Sequence, residues 1–577
     1  MIAKYNNQFL IVALGALILL PFLGGVHLFD WDEINFAESS REMMITGNYF
    51  QNQINFEPFW EKPPLFFWIQ SISMSVFGQN EFGARFPNAI VGIITLLLIF
   101  SIGKKLYHKR FGLIWVLLYI GSILPHLYMR SGIIDPTFNL FIFTAIYYLI
   151  RTVEETNHNI AKNHAALSGF FIGLAIITKG PVALLILILT TVAFWALNRF
   201  KPIASIKSLF LFALVAFLTS FLWFGYETIK NGPWFLGEFL AYQIELLLGT
   251  EGGAAAGHQQ PFYYHFVVIL LGCFPISLLA LGNLFGSKYL EDKLNFRGWM
   301  TTLFWIVLVL FSLVSTKIIH YSSMAYLPLS FMAAYYLYQV DRGKEKMSKW
   351  IIWFITIMGL LFSIAIALIP LAAMNKDTWL IPSIKDQFIV DGLATEVVWS
   401  GYEMGVGVIF GLFVIMAIRQ LFRKKIIRFV VTNAIGVSFM MIASNAILLP
   451  KIEAYVQRPA IDFYKTLKDK DAYIWPLHHK SYAHYFYAKT QPLDSTAALY
   501  THKKQVLRNL GYDKISELKN ENRLTYQMNI QNWLMEGPID KPVYFVMKST
   551  FYTQEKFNNC QKVMQKGGFV ALKRNPD

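Results

Sequence analysis

The chain has 577 residues, of which 55% are hydrophobic and only 15% are charged, whereas a typical soluble protein is about 25% charged. This composition excludes an ordinary soluble domain, and the presence of only two cysteines excludes a disulfide framework and a thiolate metal site. The formal net charge of +15 lies mainly in short basic connections between apolar segments, a pattern of membrane proteins and not of nucleic-acid binding.

Apolar blocks of about twenty residues recur along the first 450 positions, and a helix of that length crosses a hydrocarbon core of about 30 Å. The pattern therefore predicts an α-helical polytopic membrane protein with about thirteen transmembrane helices. The N-terminal block counts as the first helix, because no small-x-small cleavage site follows it. The predicted spans are 8–28, 86–103, 112–129, 133–150, 165–178, 181–198, 208–229, 264–285, 299–315, 322–339, 350–373, 402–418 and 429–449.

The distribution of basic residues predicts the orientation, since cytoplasmic loops are enriched in Lys and Arg. Six short alternate connections carry 21 Lys and Arg between them, and they all fall on one side if the N-terminus is cytoplasmic. The longer connections 29–85, 230–263 and 374–401 then face outward. An odd number of spans also places residues 451–577 outside, which in a bacterium with two membranes means the periplasm.

Residues 451–577 differ from the rest, with short apolar runs, many Lys and Asp, and no further span. Periodicity predicts a helix over 458–467, strands over 472–475, 542–547 and 569–573, and a polar helix over 553–566. We therefore expect a transmembrane domain over 1–450 and a small periplasmic α/β domain over 451–577. The net positive charge of the latter suits anionic lipid head groups or an ordinary solvated surface.

The first outward loop carries the charged residues with the strongest chemical signal. Asp32 and Glu33 follow the first span directly, and they begin an amphipathic helix or form a solvated acidic cap. Glu61 and Lys62 stand between aromatic residues and a rigid Pro-Pro pair. A lysine held at the membrane surface in this way suits a phosphodiester, although snorkelling of its ammonium to the interface is the simpler alternative.

These motifs together resemble the GT-C membrane glycosyltransferases of the protein-O-mannosyltransferase-like superfamily, and in particular their lipid A aminoarabinose transferase branch. The resemblance covers residues 1 to about 340 well, and the order of the motifs makes it specific. The motifs are Trp31-Asp32-Glu33, Ala37-Glu38-x-x-Arg41-Glu42-Met43, Gly47-Asn48-Tyr49, Trp60-Glu61-Lys62-Pro63-Pro64, Phe77-Gly78-x-x-x-Phe82-x-x-Arg85, Asp135-Pro136, Thr178-Lys179-Gly180, Pro261-Phe262-Tyr263-Tyr264 and Ser315-Thr316-Lys317-x-x-His320-Tyr321.

The resemblance implies a sugar donor on a polyprenyl phosphate and an acceptor outside the membrane, which is lipid A, another surface glycan or a protein. Asp32 matches the essential acidic residue of the first outer loop, where a carboxylate takes the proton of the acceptor. Asp135 matches a second acidic position. The substrate-binding residues expected from the resemblance are Glu33, Lys62, Arg85, Lys179, Lys317, His320 and Tyr321.

Three details stay open at the level of sequence. Lys179 stands at a helix break, where it assists the phosphate or merely anchors the helix end. The small-residue-rich loop 249–257 is a lid over the lipid substrate or a flexible connector. Glu61 and His258 are candidate ligands for a divalent metal such as zinc, as in some relatives, but two ligands do not establish a metal requirement. Gln259 replaces an arginine that is frequent in relatives.

Two other classes of function compete with glycosyl transfer. A polytopic transporter or lipid flippase also has intramembrane charges and broken helices, but such proteins often contain inverted repeats, and no internal repeat is visible here. Within the transferases, the alternatives to lipid A decoration are protein O-glycosylation and decoration of another cell-surface glycan.

Overall fold

The computed structural model describes residues 2–201, 203–248, 260–284, 293–518 and 520–576. Up to the gap at 249–259 the helices are α1 (Ile2–Leu19), α2 (Asp32–Thr46), α3 (Leu65–Phe77), α4 (Glu81–Leu106), α5 (Lys109–Ile120), α6 (Ile123–Tyr128), α7 (Asp135–Glu154), α8 (His158–Lys179), α9 (Val182–Leu197), α10 (Ile206–Asn231) and α11 (Trp234–Leu248). Between α2 and α3 a short hairpin pairs strands β1 (Gln53–Ile54) and β2 (Glu57–Pro58).

Further helices follow the gap. They are α12 (Tyr264–Gly272), α13 (Ile276–Leu284), α14 (Phe296–Leu313), α15 (Tyr326–Asp341), α16 (Lys349–Met374), α17 (Lys376–Trp379), α18 (Gln387–Leu393), α19 (Gly405–Phe422), α20 (Ile426–Ala443) and α21 (Leu449–Glu453). A 3₁₀ helix over Ile319–Ala325 joins α14 to α15.

Long apolar helices confirm the prediction of a polytopic α-helical membrane protein. Among the described residues, seven helices are long and apolar enough to cross a membrane. The pair α12 and α13, bent by 106°, forms either a broken eighth span or a re-entrant loop. Each of the thirteen predicted spans coincides with a helix or a broken pair of helices, but several of these are shorter than a full crossing. The break that the sequence indicates at Lys179-Gly180-Pro181 is present, since α8 ends there and α9 begins at Val182.

Small residues allow the helices to pack closely, as is usual inside membranes. A Cβ added at Gly169 of α8 would lie 2.4 Å from the carbonyl oxygen of Phe212 in α10, so only glycine fits at this crossing. Some polar side chains of the bundle hydrogen-bond to a neighbouring helix. Trp115 of α5, for example, donates its indole N–H to the Ser330 hydroxyl of α15 over 2.9 Å.

Helix α2 forms as the sequence predicts, but it is buried instead of lying at a surface. Arg41 donates two hydrogen bonds to Glu38 (2.8 and 2.7 Å) and a third to the carbonyl of Thr490 in the C-terminal region (2.8 Å). Glu42 accepts two backbone N–H bonds of 2.7 Å from the turn of the β1–β2 hairpin. The Glu-x-x-Arg-Glu motif therefore holds the first long loop, residues 29–85, to the rest of the protein.

The C-terminal region contains helices α22 (Arg458–Thr466), α23 (Ala483–Ala488), α24 (Ala498–Asn509) and α25 (Asn520–Glu536), and strands β3 (Tyr473–Pro476), β4 (Val543–Lys548), β5 (Gln561–Lys566) and β6 (Phe569–Arg574). The strands form one sheet in the order β3-β4-β6-β5, with β3 parallel to β4 and the other pairs antiparallel. This arrangement confirms three of the predicted strands and the helix near 458–467.

The predicted polar helix over 553–566 is wrong, because residues 561–566 form the edge strand β5. Gly567 and Gly568 have φ values of 57° and 77°, a backbone conformation that glycine adopts readily. They make a tight turn between β5 and β6, and the hydrogen bonds gained across this hairpin outweigh the local polarity.

Candidate functional site

A pocket opens where α7, α9, α11, α14 and the 3₁₀ helix meet, and its volume is about 900 Å³, part of which is open to solvent. One end is polar and carries Lys62, Asp135 and Lys179, while the remaining wall is mostly aliphatic and aromatic. A pocket with charge at one end and an apolar wall suits an amphiphile. The lining residues are Lys62, Asp135, Phe138, Asn139, Lys179, Pro181, Val182, Leu185, Ile186, Leu240, Gln243, Ile244, Phe311, Tyr321 and Met324.

Lys62 reaches this pocket from the first long loop, and its backbone is held on both sides. Asn52 donates a hydrogen bond of 2.6 Å to the carbonyl of Lys62, and Gln243 of α11 donates one of 3.2 Å to the carbonyl of Glu61. Burial lowers the pKa of the Lys62 ammonium, an effect that the neighbouring Glu61 carboxylate opposes. The structure therefore anchors the Lys62 backbone and places its side chain in the lining of the pocket.

Asp135 and Lys179 form an ion pair in the same pocket. Asp135 is the first residue of α7 and Lys179 the last of α8, and their Oδ1 and Nζ atoms are 2.6 Å apart. The Lys179 ammonium also lies 5.4 Å from the ring centre of Tyr321, within the range of a cation–π contact. The helix break thus brings a second cation, a carboxylate and an aromatic hydroxyl together.

Asp32 and His320 meet at the edge of this cluster, with Oδ2 and Nε2 3.4 Å apart. Asp32 opens α2, so the helix dipole stabilises its negative charge. Its side chain is 31% exposed, which leaves one side of the carboxylate open. The loop after the first span and the loop before α15 are nearly 290 residues apart in the sequence, and the structure places both beside the pocket.

Glu33 and Arg85 differ from the expectation that they bind substrate. Arg85 uses all five of its N–H donors: two bonds to Glu33 (3.0 and 2.8 Å) and three to backbone carbonyls of residues 23–27. Glu33 accepts two further bonds, from the backbone N–H groups of Phe29 and Gly132. Both side chains are nearly fully buried, and a saturated buried pair has no group left for a phosphate. The pair holds the first long loop in place.

Lys317 also lies apart from the pocket lining. It is 7% exposed, and its ammonium donates to the carbonyl of Val314 over 2.8 Å at the end of α14. The motif predicts that Lys317 lies close to His320 and Tyr321, but its ammonium caps the C-terminal end of α14.

The metal and lid predictions concern residues outside the described part of the chain, since His258, Gln259 and the loop 249–257 all fall in the gap at 249–259. Within the described residues no three His, Cys, Asp or Glu side chains come together as metal ligands. Glu61 lies beside the hydroxyl of Tyr242 in α11. A metal-ligand role for Glu61 and His258 therefore stays a prediction.

Several residues of the site carry no signal in the sequence. Gln243 and Tyr242 stand on α11, in a segment that reads as a loop because it lies between two predicted spans. Tyr482 comes from the C-terminal region and lies near Glu61. Only the tertiary fold brings these side chains to Lys62 and Glu61.

Breaking the buried ion pair between Glu33 and Arg85 should lower the stability of the protein without changing its catalytic residues. Glu33→Gln or Arg85→Ala leaves a buried partner uncompensated, which typically costs about 3–5 kcal/mol. We expect a lower thermal midpoint and poor yield for both single variants in detergent, measured by tryptophan fluorescence. If Arg85→Ala instead had wild-type stability and weaker donor binding, Arg85 would be a substrate-binding residue, as the motif predicts.

Three comparisons with known proteins bear on this site. Residues 61–223, which include Lys62, Asp135 and Lys179, match the model of the family described as dolichyl-phosphate-mannose-protein mannosyltransferase. The chain is 27% identical over 329 residues to undecaprenyl phosphate-alpha-4-amino-4-deoxy-L-arabinose arabinosyl transferase 1 of Proteus mirabilis, covering 56% of this chain and 58% of that one. The corresponding transferase of Pectobacterium carotovorum subsp. carotovorum is 26% identical over 378 residues, with coverages of 64% and 66%.

The chain therefore spans between 58% and 66% of the length of these two curated relatives. Its fold matches the crystal structure of ArnT from Cupriavidus metallidurans bound to undecaprenyl phosphate, with a TM-score of 0.74 over 99% of this chain and 100% of that one, at 16% identity. It also matches the apo oligosaccharyltransferase of Archaeoglobus fulgidus, with a TM-score of 0.53, 12% identity and coverages of 94% and 69%. These matches confirm the predicted fold and the resemblance stated from the motifs.

Proposed function

We propose that this polytopic membrane protein of GT-C fold is a glycosyltransferase that moves a sugar from a polyprenyl phosphate to an acceptor at the outer membrane face. One observation carries the proposal: Lys62, Lys179 and Tyr321 line the polar end of a pocket whose remaining wall is mostly apolar. A prenyl phosphate has the same two parts, an anionic head and a hydrocarbon tail. The relatives named for undecaprenyl phosphate support this choice of donor.

Lys62 is the residue that we assign to the carrier phosphate. When the bond between the sugar C1 and the phosphate oxygen breaks, the electron pair stays on the phosphate and its negative charge increases. An ammonium fixed in a partly dry site stabilises that charge more than it stabilises the diester. Lys179, which already neutralises Asp135, and the Tyr321 hydroxyl assist from the same polar end of the pocket.

Asp32 is the residue that we assign to the acceptor. Its carboxylate takes the proton of the acceptor hydroxyl or phosphate as the acceptor oxygen forms its bond to C1. His320, 3.4 Å away, orients the carboxylate. Asp135 keeps the Lys179 ammonium at the pocket and is the second acidic group of the site.

The sugar and acceptor are proposed from the relatives. Their names indicate 4-amino-4-deoxy-L-arabinose as the sugar, and the resemblance of the motifs to the lipid A aminoarabinose transferases makes lipid A the proposed acceptor. The matching family model is named for protein mannosylation, so protein O-glycosylation is the second candidate. Mass spectrometry of lipid A and of surface proteins from cells with and without the gene separates them. We expect a sugar-sized increment on lipid A that disappears with the gene, whereas an increment confined to glycoproteins would reject lipid A.

A transporter or flippase is the competing class. Transporters bind substrate near the bilayer midplane, whereas the charged residues of this pocket lie where α7 begins and α8 ends. A pocket at helix ends is accessible to an acceptor from the membrane surface, which favours group transfer.

We further propose that the N-terminus is cytoplasmic and that residues 29–85 and 451–577 face the periplasm of a bacterial inner membrane. This orientation follows from the basic connections between the helices. Single cysteines at Asn48, Lys346 and Lys566, in a variant without Cys273 and Cys560, should react differently with an impermeant maleimide.

With the outer membrane permeabilised, we expect labelling at positions 48 and 566 and protection at position 346 until the inner membrane is opened. The reverse pattern would invert the topology. Labelling of all three positions would mean that the inner membrane leaks. A cytosolic protein with an accessible cysteine is therefore the control, and it should stay unlabelled while the inner membrane is intact.

A further inference from the structure

Asp32 has an open side that does not belong to the donor pocket. Asp32 and Trp31 are absent from the pocket lining, and so is every residue beyond Met324. The Asp32 side chain is nevertheless 31% exposed, and the neighbouring Trp31 is 43% exposed. A large aromatic ring left open beside the proposed catalytic carboxylate offers a platform for a sugar ring.

The C-terminal domain forms the other wall of this open side. The Lys480 ammonium lies 4.7 Å from the ring centre of Trp31, and the Tyr482 ring meets Trp31 edge-on at 5.9 Å. The Ser481 side chain and the Tyr482 backbone lie beside the Asp30 carboxylate. Segment 480–482 is therefore fixed against the residues that precede Asp32.

Two cations on this wall have no anionic partner among the residues that the structure describes. Lys480 and Arg523 are both exposed, and in the part of the chain that the structure describes neither forms an ion pair or a hydrogen bond. Arg523 acts electrostatically on the Tyr482 hydroxyl. Other lysines of the domain near the first long loop are engaged: Lys503 pairs with Glu57 at 2.8 Å, and Lys489 donates to the carbonyl of Gln79.

We propose that Lys480 and Arg523, together with the Trp31 ring, bind the phosphorylated sugar headgroup of a glycolipid acceptor. The inference rests on the proposed function, because it assigns an acceptor subsite to that reaction. A phosphate exchanges a weak cation–π contact of Lys480 for a charge-assisted hydrogen bond, and the ring packs against the sugar face. The C-terminal domain thus selects the acceptor, while the helical domain binds the donor.

Binding experiments on the full-length protein in detergent test this subsite. The probes are lipid A with both phosphates, enzymatically dephosphorylated lipid A, and undecaprenyl phosphate. We expect the double variant Lys480→Glu/Arg523→Glu to bind phosphorylated lipid A about tenfold or more weakly, because two attractions become repulsions. Its affinity for the other two probes should change by less than about twofold. Lys480→Arg, which keeps the charge, should bind lipid A like the wild type.

Lys566→Glu is the matched control, since Lys566 is an exposed lysine on the edge strand β5 of the same domain. Unchanged affinity of the double variant for phosphorylated lipid A would overturn the subsite. An equal loss of affinity in Lys566→Glu would also overturn it, because the effect would then come from the net charge of the domain. An equal loss for dephosphorylated lipid A would also overturn it. Sugar transfer by the wild-type protein is measured in the same preparations: its absence would reject the proposed function, whereas normal transfer with an unaffected double variant rejects only the subsite.

Discussion

Asp32→Asn is expected to lower sugar transfer by about 10²–10⁴-fold, the range typical for the loss of a general base. The amide keeps the size of the side chain but cannot take a proton from the acceptor. Because Asp32 is partly exposed and contacts His320 at 3.4 Å, the fold should not depend on its charge. The measurement is the single-turnover rate from a purified prenyl-phosphate sugar.

Stability and donor binding are the controls for Asp32→Asn. Its thermal midpoint should match that of the wild type, in contrast to Glu33→Gln, in which the adjacent carboxylate is removed from a buried ion pair. Its affinity for undecaprenyl phosphate should also be unchanged. Near-wild-type turnover in a folded Asp32→Asn protein would rule out the catalytic assignment.

Lys62→Ala is expected to reduce turnover more than it weakens donor binding. The ammonium faces more charge in the departing phosphate than in the diester, so its removal raises the energy of the transition state most. One lost charge contact in a partly dry site is worth about 10²–10³-fold in rate, as for an oxyanion-hole donor. The rate and the undecaprenyl-phosphate affinity are measured on the same preparation, and unchanged values for both would leave Lys62 as a membrane-surface anchor.

Lys62→Arg should restore part of the activity, because arginine keeps the charge but presents it as a planar fork. It should also change the pH profile. Burial lowers the pKa of Lys62, so the wild-type lysine loses its proton, and with it the attraction for phosphate, at a lower pH than an ordinary lysine. Arginine stays charged there, and the decline of donor affinity at alkaline pH should therefore disappear in Lys62→Arg.

Hydropathy predicts most of the helical architecture, because a bilayer requires apolar segments of a fixed length whatever their neighbours are. The C-terminal region is harder to predict. Residues 561–566 have no strong strand pattern, and they become a strand only because two glycines turn them back onto β6. Helix α11 is not predicted either. It lies between two predicted spans, and its contacts with the first long loop form only in the folded protein.

The chemistry of individual charged residues depends on which partner each one meets. Lys62, Asp135, Lys179 and Tyr321 come together at the pocket as the motifs indicate. Arg85 belongs to an equally clear motif, yet all its donors bond within the protein. Sequence spacing cannot distinguish these two cases, because the carbonyl groups that saturate Arg85 come from the turn after α1, a piece of tertiary geometry.

The most direct test of the proposed activity is transfer by the purified, full-length protein in detergent or vesicles. Undecaprenyl phosphate carrying 4-amino-4-deoxy-L-arabinose is supplied as the donor and lipid A as the acceptor, with Asp32→Asn protein as the blank. We predict that mass spectrometry will detect sugar-modified lipid A and released undecaprenyl phosphate in equal amounts, with almost none from the blank. Two results would contradict the assignment as a glycosyltransferase. In the first, folded wild-type protein binds the donor but leaves its glycosidic bond intact. In the second, the protein only moves the intact donor between the vesicle leaflets.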